Sequence, residues 1–411
     1  MPVVIEDVYR REWTLLVASL ARRFGLDIAE EAAGEAFLAA VEHWQDSPPP
    51  NPGGWLMTTA SRRAIDRVRR ESKRTEKYAE AAAVLTAQGD EDPTADELLH
   101  EHDADHLPDD RLRLIFTCCH PALSPDARKA LTLRLVGGLT VEQIARGLLT
   151  TEAAIGRRIT RSKAKIASAH IPYKVPGPAE LPERLDVVFS VLYLVFNEGY
   201  LPGGERALRP DLTAEAIRLT RLLAELLPQS HEAAGLLALM LLTDARRASR
   251  VSADGELVTL AEQDRGSWDR ALIFEGHGIV SELIASGEAP GRYQLEAAIG
   301  AVHTYAGDFR DTDWEQLGQL YDHLFTVHPS PVVALNRAVV RAELDGPNLA
   351  LAEVDRLPLS HYHAWHATRA DLLRRLGRSG EARSAYDAAI SLAVNPAEIR
   401  YLQRRCASLG S

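Results

Sequence analysis

The sequence predicts an all-α protein built from several domains, and three observations carry that prediction. Apolar residues recur at three- and four-residue spacing through most of the chain. Only one stretch, near 250–263, reads as a strand-turn-strand pattern. Proline clusters at 47–52 and 172–182 break the periodicity, and 411 residues are too many for one ordinary core. A composition that is 46% hydrophobic and 26% charged excludes a disordered chain. The net charge of −11 argues, taken alone, against a nucleic-acid partner. Three cysteines are too few for a disulfide framework and point to a reducing, cytoplasmic compartment. No run reaches the roughly 18 apolar residues of a membrane span, and MPVVIEDVYRREW lacks the basic start and apolar core of a signal peptide, so no membrane partner is expected.

In chain order, Val8, Leu15, Leu16, Leu20 and Phe24 define one helix face, and Ala32, Ala36, Phe37 and Val41 the next. The segment Ser47–Gly54 must interrupt helix, because proline lacks the amide donor and restricts its predecessor. A third helix runs from Trp55 to about Tyr78. Gln88–Asp110 holds ten acidic residues and no Lys or Arg, which predicts a solvated linker over 79–110. Periodicity resumes at Arg111 through Leu112, Ile115, Phe116, Leu131, Leu135, Ile144, Leu148, Ile155, Ile159 and Ile166. Beyond the second proline cluster, helices are expected over Leu185–Phe196, Thr213–Leu227 and Glu232–Leu242. Asp254-Gly255, between Val251 and Leu257–Leu260, predicts a short β-hairpin. From Ser267 to Leu409 helices alternate with short loops. Ala367, Ala370, Leu373, Gly377, Ala382, Tyr386, Ala389 and Pro396 approximate tetratricopeptide spacing, with Ala334–Ala338, Ala350 and Val354 as a weaker preceding unit. An ordinary Ala-rich bundle is the alternative. The expected domains are 1–78, the linker 79–110, 111–170, 171–285 and 286–411.

Two constellations carry chemistry. Thr140 with Gln143 three residues on is a capping-box pairing that starts a short helix; Thr151 caps a second, whose Ala154, Ile155, Ile159 and Ile166 face inward. This is a helix-turn-helix pattern. It leaves Glu152, Arg157, Arg158, Arg161, Lys163 and Lys165 to project toward a major groove. The other is the helix from Trp55, where Arg62–Lys77 holds eight basic and three acidic residues. Thr58, Thr59 and Ser61 can hydrogen-bond bases or phosphates, and Trp55 offers a stacking surface or a core residue. Cys118-Cys119-His120 with His100, His102 and His106 lacks the spacing of a zinc site, so no metal or other cofactor is expected. Asn197-Glu198 reads as a helix end, and His361, His363 and His366 as a repeat surface. No nucleophile motif, phosphate loop or dinucleotide fingerprint is present, so no enzyme is predicted.

These residues resemble a known family. Residues 1–78 are similar to region two, and 111–170 to region four, of an extracytoplasmic-function (ECF, group 4) sigma factor of bacterial RNA polymerase. The matching stretches are Ala29–Ala40, Asn51–Ala60, Ile65–Arg70 and the helix-turn-helix. The last 240 residues or so resemble the C-terminal extension of the ECF42 subgroup, through Leu192–Tyr200 and Asp244–Arg247. The resemblance implies docking of Glu31, Glu35, Phe37 and Leu38 on the β′ clamp helices of core RNA polymerase. It implies −10 recognition by Asn51, Trp55, Thr58, Thr59, Ser61, Arg62, Arg63, Asp66, Arg67, Arg69 and Arg70. It implies −35 recognition by Thr140, Thr151, Glu152, Ala154, Arg157, Arg158, Arg161, Lys163 and Lys165, with region four on the β flap. Gly156 stands where the family commonly carries Lys or Ser, and Leu149-Thr150-Thr151 replaces a Gly-containing turn.

The charge distribution then qualifies the total. Residues 1–171 carry 23 basic and 26 acidic side chains, so without the ten acids of 88–110 the balance is +7, against −8 for 172–411. Opposite charges favour an intramolecular contact between the extension and the sigma-like domains. Two other function classes share these residues: a helix-turn-helix regulator working without polymerase, and a repeat-based interaction scaffold.

Overall fold

A computed structural model describes residues 3–44, 48–82, 107–148, 150–200 and 210–410. The acidic segment 83–106 and Leu149 of the helix-turn-helix turn lie outside the described residues. The chain is 76% helical, with seventeen α-helices and no sheet among the described residues. It forms two units, Met1–Val191 and Leu192–Ser411, and the division falls inside a helix, α7.

In the first unit α1 (Val3–Trp44) is one run in name but two helices in fact, broken where Gly25 takes φ +78°, as the two apolar stripes predict. Its second half buries Ala29, Ala32, Ala33, Ala36 and Ala40. That small-residue stripe lets α2 (Pro52–Ala82) approach with its own Ala60 and Ala64, because interaxial distance follows side-chain size. Asn51 starts α2 by accepting the Gly54 amide at 3.0 Å, with Pro52 in the first turn where a missing N–H costs nothing. Then come α3 (Leu107–Cys118), α4 (Pro125–Leu131), a π-helical turn (Thr132–Val136), α5 (Val141–Gly147), α6 (Glu152–Ser168) and α7 (Leu181–Tyr200).

The second unit continues with α8 (Pro210–Leu226), α9 (His231–Asp244), α10 (Arg270–Ala285) and α11 (Arg292–Tyr305). Helix α9 is apolar on all sides and therefore central, packed by α8, α10 and α11. Gly235 permits a close approach of α11: a Cβ there would lie 2.7 Å from the Gln294 backbone nitrogen. Then follow α12 (Trp314–Val327), α13 (Pro331–Leu344), α14 (Pro347–Val354), α15 (His363–Arg375), α16 (Ser379–Leu392) and α17 (Pro396–Ala407). The small-and-large pattern of the tail resolves into the pairs α13·α14 and α15·α16. Leu335, Ala338, Ala350, Val354, Ala370, Leu373, Ala382, Tyr386 and Ala389 lie in one apolar cluster, and Gly377 takes φ +73° between α15 and α16.

The predicted hairpin is corrected. Gly255 makes the turn at φ +75°, and the two arms pair at one isolated antiparallel bridge, Val251 to Leu257, flanked by the Ser252 amide donating to Glu256 O and the Val258 amide to Arg250 O, both at 2.8 Å. The Leu257 amide, which points away from Val251 at such a bridge, donates to the Ala397 carbonyl at 3.0 Å, and no second bridge extends the pair into a ladder.

Candidate nucleic-acid interface

On α2 the period of the helix sorts the predicted residues into two faces. Arg62, Arg63, Asp66, Arg69 and Arg70 are exposed together with Asn51 and Thr58, while Thr59 and Arg67 are half-buried. Ser61 faces the opposite way: it is buried beside Ala60 and Ala64 against α1, so its hydroxyl belongs to the core face. Trp55 is half-buried, edge-on to Trp44 at 5.3 Å, which fixes the start of α2 against the end of α1. The Thr58 hydroxyl donates to the Gly54 carbonyl at 2.9 Å.

The helix-turn-helix forms as its caps dictate. The Thr140 hydroxyl accepts the Gln143 amide at 3.1 Å while the Gln143 side chain accepts the Thr140 amide at 2.8 Å, and the Thr151 hydroxyl accepts the Ala154 amide at 3.2 Å. On α6, Glu152, Arg157, Arg161 and Lys165 are exposed with Thr151, and Ala154 is half-buried. Arg158 reaches Asp126 of α4 at 3.4 Å, and Lys165 Nζ donates to the Ala122 carbonyl. Lys163 departs from expectation. It lies on the buried face with Ile159 and Ile166, its ammonium 3.0 Å from Asp27 and 2.5 Å from Glu30 of α1.

That ion pair is part of a broad contact between α1 and the segment from the π-helical turn to α6. Glu30 also pairs with Arg134 of the π-helical turn. Carbonyls at a helix end lack partners within the helix. Here α1 supplies them: Trp13 Nε1 donates to Leu135 O at 3.1 Å, Thr14 Oγ1 to Val136 O at 2.7 Å and Tyr9 OH to Gly138 O at 2.6 Å. Gly138 is required for this approach, since it takes φ +72° and a Cβ would stand 2.8 Å from the Trp13 ring. Tyr173 closes the same contact by donating to Ala18 O at 2.8 Å, and burial raises its phenol well above the ordinary tyrosine range.

Of the residues expected to dock on polymerase, Glu31, Glu35 and Leu38 share one accessible stripe of α1, with Leu38 67% exposed. Phe37 points the other way, packed on Tyr9 at 4.7 Å. Glu31 pairs with Arg67 and Glu35 with Arg63 at 3.8 Å, so the acidic stripe lies alongside the basic face of α2. Cys118 and Cys119 end α3 as buried free thiols, and burial pushes Cys119 up to about 11, which keeps it protonated. Among the described residues no group of His, Cys, Asp or Glu is placed to hold a metal ion; His100, His102 and His106 lie outside them. Nor is any described helix long and apolar enough to cross a membrane.

Residues 10–74 match the family Sigma-70 region 2, and residues 113–166 match Sigma-70, region 4. Residues 184–284 match a family of unknown function, DUF6596. Two sigma regions in this order define a sigma factor with an appended helical unit. The relatives narrow the class. The ECF RNA polymerase sigma factor SigK of Mycobacterium ulcerans is 32% identical over 152 residues, 35% of this chain and 72% of its own length. SigK of Mycobacterium sp. (strain KMS) is 36% identical over 112 residues, 26% of this chain and 51% of its own length. The protein R00370 of Rhizobium meliloti, described as uncharacterized, is 43% identical over 392 residues, 94% of this chain and 91% of its own length. The chain belongs to the ECF RNA polymerase sigma factors. No solved structure matches it.

Proposed function

We propose that the chain binds core RNA polymerase and directs it to promoters, with α2 engaging the −10 element, α6 the −35 element, and no catalysis of its own. One observation carries this reading: the two sigma regions each present an exposed cationic helix face, Arg62, Arg63, Arg69 and Arg70 on α2 and Arg157 and Arg161 on α6. Such faces suit phosphate contacts that position a helix on DNA. Glu31, Glu35 and Leu38 then serve as the clamp-docking stripe, region four rests on the β flap, and the work takes place in the cytoplasm.

The two faces cannot read both elements while α1 holds α6. Elements named for positions −10 and −35 lie about 25 base steps apart, or about 85 Å of B-form DNA. The two regions must separate, and the 24 residues of 83–106 have a contour length of about 80 Å. We read the second unit as a regulator or support of that opening. Run-off transcription with purified core polymerase tests the main reading: promoter-dependent transcript is expected, and none under conditions where a control sigma factor works would refute it. Comparing the full chain with residues 1–191 assigns the extension: gain of transcript means inhibition and loss means support.

A further inference from the structure

Helix α10 has more apolar side chains than it buries. Its sequence, RALIFEGHGIVSELIA, sends only Gly276 and Val280 fully inside. Phe274, His277, Ser281 and Ile284 follow one another at intervals of three, four and three residues, so they form one stripe along the helix. Phe274 is 83% exposed and Ile284 71%. Repeats of three and four are the spacing by which one helix packs along another.

Beside this stripe runs a trough of about 740 Å³, open to solvent along one side and contained within the second unit. Its floor is aliphatic, from Val280 and Leu283 of α10, Leu295 and Val302 of α11 and Leu320 of α12. Tyr305, 85% exposed, stands at one end. Of Asp, Glu, Lys and Arg, the lining holds only acidic residues, Glu288, Asp311 and Asp313, together with two histidines, His277 and His323. Asp313 uses one oxygen to cap α12, and Glu288 has His231 at 3.1 Å. Arg265, the guanidinium that acts on Asp311, is buried and donates to the His303 and Ala306 carbonyls, both at 2.6 Å. His277 donates to or accepts from Thr304 at 2.9 Å, and burial lowers its pKa, so it adds no positive charge at neutral pH.

We propose that this trough is a docking site for an amphipathic α-helix of a partner protein, one whose apolar stripe lies along α10 and whose flanks carry Lys or Arg. The helical spacing of the wall selects a helix rather than a compact small molecule. The acidic rim selects its charge, because like charges facing each other across an interface oppose docking. The same rim disfavours α10 pairing with α10 of a second copy, which would set acid against acid.

The test uses the full chain and three synthetic helical peptides. One has leucines at alternating three- and four-residue spacing with lysine flanks, one has the same leucines with glutamate flanks, and one is a scrambled lysine peptide. Fluorescence anisotropy is expected to show saturable one-to-one binding of the first alone, weakening as salt rises. Ile284→Ser should reduce that affinity about tenfold, and Glu288→Gln with Asp311→Asn should do the same while leaving the aliphatic floor intact. Ile284, Glu288 and Asp311 are all exposed, so the melting temperature should stay at the wild-type value. Equal binding of the glutamate-flanked peptide, or unchanged affinity in both variants, overturns the proposal. So does a concentration-dependent dimer that Ile284→Ser abolishes, since the occupant would then be a second copy. No polymerase enters the assay, so its result is independent of the transcriptional reading.

Discussion

Lys163 Nζ of α6 lies 2.5 Å from Glu30 Oε2 of α1, with the two side chains only 9% and 12% exposed. A cation on the predicted DNA-reading helix is thereby committed to the other sigma region. Glu30 holds Arg134 as well, and the Asp27 carboxylate that also meets Lys163 is exposed, so Glu30 is the enclosed anion of the group. Glu30→Ala would strip the enclosed anion from both cations, leaving Lys163 the exposed Asp27 and Arg134 the Leu139 carbonyl, at a cost of up to about 3 kcal/mol. Urea unfolding of the full chain should show the first unit lose that stability, and Glu30→Ala combined with Lys163→Met should recover part of it. Additive losses would mean that the pair is not coupled.

Arg157 and Arg161 lie on the opposite side of α6 from Lys163 and are exposed. If they contact phosphates in the promoter complex, replacing both with Ala should weaken binding by the polymerase-bound factor on every promoter sequence. The slope of log affinity against log salt should fall by about 2, one for each phosphate no longer neutralised. Filter binding across a salt series measures it; an unchanged slope would remove these two residues from the interface.

The helices, both sigma regions and the tail pairs are legible in the sequence because each rests on local chemistry: the two apolar stripes of α1, the caps at Thr140 and Thr151, and the small residues of α15 and α16. Contact between distant segments is not legible. Charge alone groups Lys163 with the projecting cations, although its place four residues after Ile159 and three before Ile166 assigns it to the buried face. Ser61 and Phe37 depart from expectation for the same reason, since residue type points one way and helical phase the other. The π-helical turn and its three donors Tyr9, Trp13 and Thr14 have no sequence signal beyond Gly137-Gly138, because the bonds span more than 120 positions. The hairpin turn forms with a single bridge, and the outward Leu257 amide finds Ala397, a partner equally distant in sequence.

Gly156 occupies the middle of α6 with a helical backbone, and a Cβ there would meet nothing within 4 Å. Gly156→Ala should therefore stabilise the helix by about 0.5–1 kcal/mol through lower unfolded-state entropy and higher helix propensity. Thermal unfolding should register an upward shift with promoter binding unchanged. A loss of promoter binding at unchanged stability would place DNA against this position, where only a bare backbone fits.

His303 links the extension to pH. Burial, then Arg246, then Arg265 lower its pKa to about 4, and Nδ1 is buried without a hydrogen-bond partner. The unfolded chain takes up the proton near pH 6.5. Between these two values the unfolded state binds more protons, so stability falls as pH drops from about 6.5 to about 4, and His303 contributes no further change below that range. His277 and His328 are shifted in the same direction, both by burial first, so they add to the slope. His303→Gln removes one of these titrations. Urea midpoints of the full chain across that pH window should decline less steeply in the variant than in the parent, by up to one proton's worth; identical slopes would mean that His303 is solvated and titrates in the folded state as it does in the unfolded one.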